Sequence, residues 1–159
     1  MCSHLRTFAR MNMNNEQQEA VFREKAASYL VCFIDRCPLH RQCLRWLVGQ
    51  YVRPSLLAYK SVNPRNPEHG GKQCTMFRKN ERVVMKRGFT NMYHDMPGHT
   101  ESLVRNYLIM KWGRKHYFEM RKGDRLITPS QQRDVAKACK KFGWTGPIVF
   151  DGEQEDWEW

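Results

Sequence analysis

Four cysteines lie close enough along the chain to share one metal ion. Cys32, Cys37 and Cys43 fall within twelve residues, and Cys74 follows a segment rich in proline and glycine. A tetrahedral zinc site needs four ligands at about 2.0–2.3 Å, and thiolates are the usual ones. The sequence therefore predicts a structural zinc site with these four cysteines as ligands. An iron–sulfur cluster uses the same ligand set, and unligated buried thiols remain the other alternative.

Two histidines and one further cysteine also have to be considered beside these four cysteines. His40 and His69 stand near the four cysteines, so a site of three cysteines and one histidine is also open. Cys139 lies on the apolar stripe of a predicted helix and is expected in the core. No export signal is evident at the N-terminus, so we expect reduced thiols rather than disulfides.

A basic stretch with interleaved aromatics follows the cysteines. Residues 75–125 hold twelve Lys and Arg and five Asp and Glu. Basic grooves hold phosphates and aromatic faces stack bases, so this stretch predicts nucleic-acid binding. The alternative is that the aromatics form the core and the charges a solvated face. The residues predicted to contact nucleic acid are Arg78, Lys79, Arg82, Lys86, Arg87, Arg114, Lys115, Arg121 and Lys122.

The charge of the chain is uneven. Its 27 basic and 16 acidic residues give a net charge of +11, yet residues 151–159 contain five acids and no base. A strongly positive field attracts polyanions. The acidic tail is expected to cover part of the protein's own basic surface, with Trp157 or Trp159 as the anchor.

A catalytic site is harder to find. His94, Asp95 and His99, or the tail acids Glu153, Glu155, Asp156 and Glu158, could hold a cation in a metal-dependent nuclease. Local polar loop residues are the simpler interpretation of the histidines. No Gly-rich phosphate loop and no nucleophile elbow occurs, so the sequence favours a protein that is not an enzyme.

The elements that would position these residues follow from periodicity and capping signals. Asn15 is predicted to cap a helix over residues 16–30. A second helix spans 41–53 with Arg45 largely off its apolar stripe, and a third starts at Thr100 and ends at Gly113. The remaining predictions are a strand over residues 82–87, a β-hairpin over 116–127 and a last helix that runs from the Thr128–Gln131 capping box to Gly143.

These elements give an α+β class, as a mostly helical single domain with a short strand and a β-hairpin. The zinc site would pin its N-terminal half. The domain is expected over residues 15–159, including the acidic aromatic tail 151–159. Residues 1–14 are expected to be disordered or to contain an alternative start. With no apolar run near the 20 residues of a membrane helix, a cytoplasmic protein is expected.

The order of short motifs resembles a small bacterial protein family, the domain of unknown function 6078. The likeness covers about residues 32–157, and its motifs are specific only in combination. It implies no established activity, fold or ligand, but it implies that the four cysteines and the acidic ending belong to the domain. The matching segments are Cys32, Asp35-Arg-Cys-Pro38, Cys43-Leu-Arg45, Val62-Asn-Pro64, Cys74-Thr-Met-Phe-Arg78, Gly113-Arg114, His116-Tyr117, Lys122-Gly123, Pro129, Gln132, Phe142-Gly143, Val149-Phe-Asp151 and Glu155-Asp-Trp157.

Two ends depart from the family's pattern, namely the longer N-terminal helical segment and the added Glu158-Trp159. Taken together, the sequence predicts a nucleic-acid or ribonucleoprotein binder with a structural zinc site. The alternative is a protein–protein interaction module, an adaptor or accessory factor that uses the basic face on an acidic partner.

Overall fold

The computed structural model describes residues 14–159, and it confirms the predicted α+β class. The predicted segment 1–14 lies outside the described residues except for Asn14. The chain divides into two compact units, at Asn80 and Glu81. The described elements are α1 (Asn15–Lys25), α2 (Leu44–Gly49), β1 (Arg82–Arg87), α3 (Gly98–Trp112), α4 (Arg114–Lys122), β2 (Leu126–Ile127), α5 (Pro129–Lys141) and β3 (Gly152–Trp157).

The first unit contains two short helices joined by turns. A capping box starts α1, in which the Asn14 side chain accepts from the backbone N–H of Gln17 at 2.8 Å. The cap is therefore one residue earlier than the predicted Asn15, and the helix ends at Lys25 rather than near residue 30. Helix α2 is also shorter than the predicted 41–53, since residues 40–42 form a 3-10 turn.

The second unit packs three helices around one apolar core. Leu108 of α3, Tyr117 of α4 and Val135 of α5 are fully buried in it. The predicted capping box of α5 is present, with Thr128 accepting from the Gln131 backbone N–H. The predicted end of α3 is also confirmed, because Gly113 adopts a positive φ of 82° that favours glycine.

A three-stranded antiparallel sheet completes the second unit. The predicted strand over residues 82–87 is confirmed as β1, which lies between β2 and β3. In the register, Lys86 pairs with Glu153 and Arg82 with Trp157. The acidic tail thus becomes β3, and Trp157 is only 4% exposed, which confirms that the tail docks with this residue as an anchor.

The predicted hairpin over residues 116–127 is wrong. Residues 114–122 form helix α4, which ends at Gly123 with a left-handed φ of 86°. Tyr117 and Met120 are spaced i, i+3, so a helix buries both on one face. The Lys122-Gly123-Asp124 segment is therefore a helix C-terminus rather than the tip of a hairpin.

None of the helices in residues 14–159 combines the length and the apolar character required to cross a membrane.

Candidate functional site

All four predicted metal ligands line one small cavity in the first unit. Cys32, Cys37, Cys43 and Cys74 surround a space of about 20 Å³, with His40 and Arg45 also in its wall. A volume of this size holds about one water-sized sphere. The structure therefore brings together the residues that the sequence predicted, although Cys74 lies about 30 residues after the other three.

Backbone hydrogen bonds fix each cysteine in place. The N–H of Cys32 donates to the carbonyl of Arg45 at 3.0 Å, which anchors the segment after α1 to α2. Cys37 and Cys74 end tight turns, with their N–H groups donating to Ile34 and Gly71. Cys43 is the N-cap residue of α2. Hydrogen bonds and a helix cap thus hold the backbone that carries the four thiols.

The thiols influence one another electrostatically. Burial raises the pKa of the Cys32 thiol, a hydrogen bond from the backbone of Ile34 lowers it, and the charges of Cys43, Cys37 and Cys74 raise it further. The net pKa of Cys32 lies above its ordinary value. Without a bound metal ion, the Cys32 side chain is therefore a neutral thiol at neutral pH.

The thiols do not already form a closed coordination site. Within residues 14–159, no three Cys, His, Asp or Glu side chains converge closely enough to hold a metal ion as they stand. The five cysteines that the structure describes are free thiols, Cys37 and Cys43 buried and Cys32 and Cys74 half-buried. Cys139 lies buried in the core of the second unit, as expected.

The two neighbouring histidines differ in their hydrogen bonding. His40 Nδ1 lies 2.7 Å from the carbonyl oxygen of Cys37, which can only accept, so Nδ1 carries the proton and Nε2 is the free nitrogen of the neutral ring. This arrangement orients many metal-binding histidines. His69 Nδ1 is buried and has no hydrogen-bond partner among the described residues.

Arg45 is the residue of this site that the sequence missed. It was predicted to lie off the apolar stripe of its helix, but it is only 7% exposed. Its Nε donates to Met76 O at 2.9 Å and its Nη1 to Leu30 O at 2.8 Å, while the guanidinium lies 5.0 Å from the Tyr29 ring centroid. These carbonyls belong to residues two positions from Cys74 and Cys32, so Arg45 holds both segments against α2.

Two of the three basic residues of β1 pair with acids of β3, and the third, Arg87, is exposed but hydrogen-bonded within the unit. Lys86 forms an ion pair with Glu153, and Arg82 with Glu155 at 3.7 Å. Arg87 donates to Gly123 O and to the Gln154 side chain. The structure thus shows polar contacts within the protein for Arg82, Lys86 and Arg87.

The other predicted contact residues fall into two places. Arg114, Lys115 and Lys122 are exposed on α4, whereas Arg121 is half-buried with its guanidinium 5.1 Å from the Tyr93 ring centroid. Arg78 and Lys79 are exposed but belong to the first unit. A local basic surface on α4 is therefore formed by Arg114, Lys115 and Lys122.

The interleaved aromatics of the second unit belong to the core. Phe89, Tyr93 and Tyr117 are buried, and the Tyr117 hydroxyl donates to the Tyr93 hydroxyl at 3.0 Å. Burial raises the pKa of Tyr93 far above its ordinary value. Trp112 and Phe118 pack against the same core. For these five residues, the structure supports the alternative in which the aromatics are core rather than base-stacking platforms.

Helix α5 carries a basic surface that lies beyond the predicted basic stretch. Its exposed bases are Arg133, Lys137, Lys140 and Lys141, spaced i, i+4, i+7 and i+8 along one face. The only acid of the helix, Asp134, is buried, with Lys111 Nζ at 2.6 Å and Trp112 Nε1 at 3.2 Å. The signal was available in the helical spacing of these bases, but it begins after Arg125, where the predicted basic stretch ended.

The residues considered for a nuclease are not gathered into one site. His94 Nδ1 lies 3.0 Å from Asp95 Oδ1, but both side chains are exposed, as is His99. Glu153 and Glu155 of the tail form ion pairs with bases of β1. Asp156 accepts a hydrogen bond from the Trp159 indole at 2.9 Å. Of these acids and histidines, no group in the described part of the chain could hold a metal ion.

Residues 11–159 match the model of a family of unknown function (DUF6078), and the chain belongs to this family. The resemblance seen in the sequence is thereby confirmed. The match includes α1 and the final Glu158-Trp159, which had looked like departures from the family's pattern. No curated protein and no solved structure matches the chain.

Proposed function

We propose that the protein is a non-enzymatic nucleic-acid binder that contacts the phosphate backbone through α5. The observation that supports it is the one-sided charge of this helix. Its bases Arg133, Lys137, Lys140 and Lys141 face solvent, while its one acid, Asp134, is turned inward. A helix face with bases and no acid is the electrostatic footprint of phosphate binding.

The geometry of the face suits a polyanion. At 1.5 Å per residue, Arg133 and Lys141 are about 12 Å apart along the axis, a span over which duplex DNA presents several phosphates. Within the described residues, Arg133, Lys137 and Lys140 form no ion pair. Lys141 lies 5.0 Å from the Tyr107 ring centroid, which orients its amine without neutralising it.

Helix α4 adds to the basic character of this unit. Residues 114–141 contain nine Lys and Arg and only three Asp and Glu. Because the aromatics Phe89, Tyr93 and Tyr117 are buried, stacking on these three does not contribute. We therefore infer binding through phosphates, with little dependence on sequence and a strong dependence on salt.

The test is the salt dependence of binding to a labelled 20-base-pair DNA duplex, measured by fluorescence anisotropy. If all four bases of α5 neutralise phosphates, log Kobs falls against log salt with a slope of about −3.6. Lys137→Gln combined with Lys140→Gln should reduce the steepness of this slope by about 1.8. The matched control is Lys60→Gln with Lys72→Gln, which removes the same charge from exposed positions of the first unit.

Two outcomes would refute the proposal. The first is no binding to duplex or single-stranded DNA or RNA at 50 mM salt. The second is an equal loss of affinity in the α5 variant and in the control, since this would reflect net charge alone. Tighter binding to polyglutamate than to any nucleic acid would favour the alternative, an interaction module for acidic proteins.

A further inference from the structure

We propose that Cys32, Cys37, Cys43 and Cys74 bind one zinc ion as thiolates, and that Arg45 is buried beside them as the compensating charge. This proposal concerns the first unit and does not depend on nucleic-acid binding by the second. It stands on three features of the cavity: its donor atoms, its size and the buried cation in its wall.

The donor atoms select a soft or borderline metal. Four cysteine thiols line the cavity, and its other walls include Ile34, Val62, Met76 and Phe77. Among the described residues, no Asp or Glu lines it. Hard cations such as Mg²⁺ and Ca²⁺ require oxygen ligands, whereas thiolates select Zn²⁺, Cu⁺ or iron–sulfur clusters.

The size of the cavity favours a single ion. About 20 Å³ accommodates one atom-sized occupant such as a single metal ion. Zinc is four-coordinate in structural sites, which matches the number of cysteines. The four sulfurs do not converge on one point as they stand, so binding requires changes of χ1 among the staggered rotamers of cysteines whose backbones hydrogen bonds hold in place.

The buried cation supplies an independent argument. Arg45 has its guanidinium nitrogens on the carbonyl oxygens of Leu30 and Met76, and within residues 14–159 it forms no ion pair. A buried charge is costly unless an opposite charge compensates it. A zinc ion with four thiolates carries a net charge of −2, so a metal centre in this cavity gives Arg45 the anion that its surroundings otherwise lack.

Arg45 also connects the ligands mechanically. Leu30 precedes Cys32 by two residues, Met76 follows Cys74 by two, and Cys43 precedes Arg45 by two. The same side chain that would balance the charge thus holds the backbone of distant ligand segments together. Residues around a metal centre that orient its ligands are worth about 10–100-fold in metal affinity.

The test measures metal content and ligand type in the full chain, purified without oxygen and without chelator. Mass spectrometry of the elements should find one zinc per chain. Replacing zinc with Co²⁺ should give the intense sulfur-to-cobalt charge-transfer absorption and the visible bands of a tetrahedral thiolate site. Cys74→Ser should lower the affinity for zinc by at least 100-fold in competition with a chromogenic chelator.

The matched control is Cys139→Ser, which removes a buried thiol from the other unit, where Cys139 Sγ lies 3.9 Å from Met92 Sδ. It should keep one zinc per chain. The proposal is overturned if the wild-type chain is metal-free and gives no charge-transfer absorption with Co²⁺, if iron and sulfide are found instead, or if Cys139→Ser loses zinc as Cys74→Ser does. Because the Co²⁺ spectrum is measured on the wild-type chain, misfolding of a variant does not change that result.

Discussion

Asp134 is the residue through which α5 acquires its basic face, and its substitution gives the sharpest prediction about stability. The carboxylate is buried, with one oxygen bound by Lys111 Nζ at 2.6 Å and the other by Trp112 Nε1 at 3.2 Å. Asp134→Asn retains one acceptor but presents an NH₂ group to one of these two donors. One buried hydrogen bond to a charged group is therefore lost.

The expected cost is about 2 kcal/mol in the free energy of unfolding, since hydrogen bonds to charged groups contribute roughly 1.5–3 kcal/mol. Lys111 is 43% exposed, so water can solvate its amine, and we assign the loss to the buried carboxylate and its bond to Trp112. For a chain of this length, about 2 kcal/mol corresponds to a fall in Tm of roughly 4–8 °C. Urea denaturation and thermal melting at pH 7 measure both quantities.

The pH dependence separates a charge effect from a packing effect. Burial raises the pKa of Asp134, but the bonds from Lys111 and Trp112 lower it by more, so its net pKa lies below the ordinary value. Its contribution is fully present above the unfolded pKa of about 3.9 and is lost as the pH falls through the lower folded pKa. The stability difference between wild type and Asp134→Asn should be constant from about pH 5 to 8 and shrink below about pH 4.

Asp124→Asn is the control, because Asp124 is exposed and its only described hydrogen bonds involve its backbone. We expect it to change stability by less than about 0.5 kcal/mol. A loss in Asp134→Asn below that level, or a difference that persists unchanged at pH 3, would refute the assignment of a charged, buried anchor.

Three further predictions concern a glycine, the acidic strand and the buried arginine. Gly88→Ala should lower the free energy of unfolding by about 1–3 kcal/mol in urea titrations, because φ at Gly88 is +63° and a Cβ would clash with the Asp151 carboxylate; an unchanged midpoint would contradict this. Glu153→Gln combined with Glu155→Gln should release bases of β1 and make the salt slope of nucleic-acid binding steeper by up to about 0.9 per base that gains a phosphate; an unchanged slope would show that the strand stays covered. Arg45→Met should weaken zinc binding about 10–100-fold in chelator competition, and it should destabilise the metal-free chain less than the zinc-loaded chain. Equal destabilisation of both chains would show that Arg45 does not act on the metal site.

Features set by local sequence were the most predictable. The β-branched run of β1 gave its bounds, and the Thr128–Gln131 capping box gave the start of α5. In both cases the side chains that determine the element lie within it or next to it. The bounds of α1 and α2 were less accurate because tertiary contacts, rather than propensity, decide where a short helix frays.

The hairpin error and the unforeseen third strand of the second unit have a common physical origin. The aromatic content of residues 117–118 suggested a strand, but the i, i+3 spacing of Tyr117 and Met120 decides the burial and makes α4 a helix. Strand β3 contains no β-branched residue and exists because its acids face the bases of β1 more than 60 residues away. Neither a burial pattern of two residues nor a pairing over that distance can be recognised from local propensity alone.

Two inward-turned charges of opposite sign connect the fold to the proposed chemistry. Asp134 is buried with Lys111 and Trp112, so the exposed face of α5 is left with bases alone and gains affinity for polyanions. Arg45 is buried on neutral carbonyls beside four thiols, so its surroundings favour a centre of negative charge. Spacing predicted both clusters only in part, because a sequence shows that a charge is present but not which way it points. The inward orientation of Asp134 and of Arg45 therefore defines two distinct candidate sites in a generally basic chain.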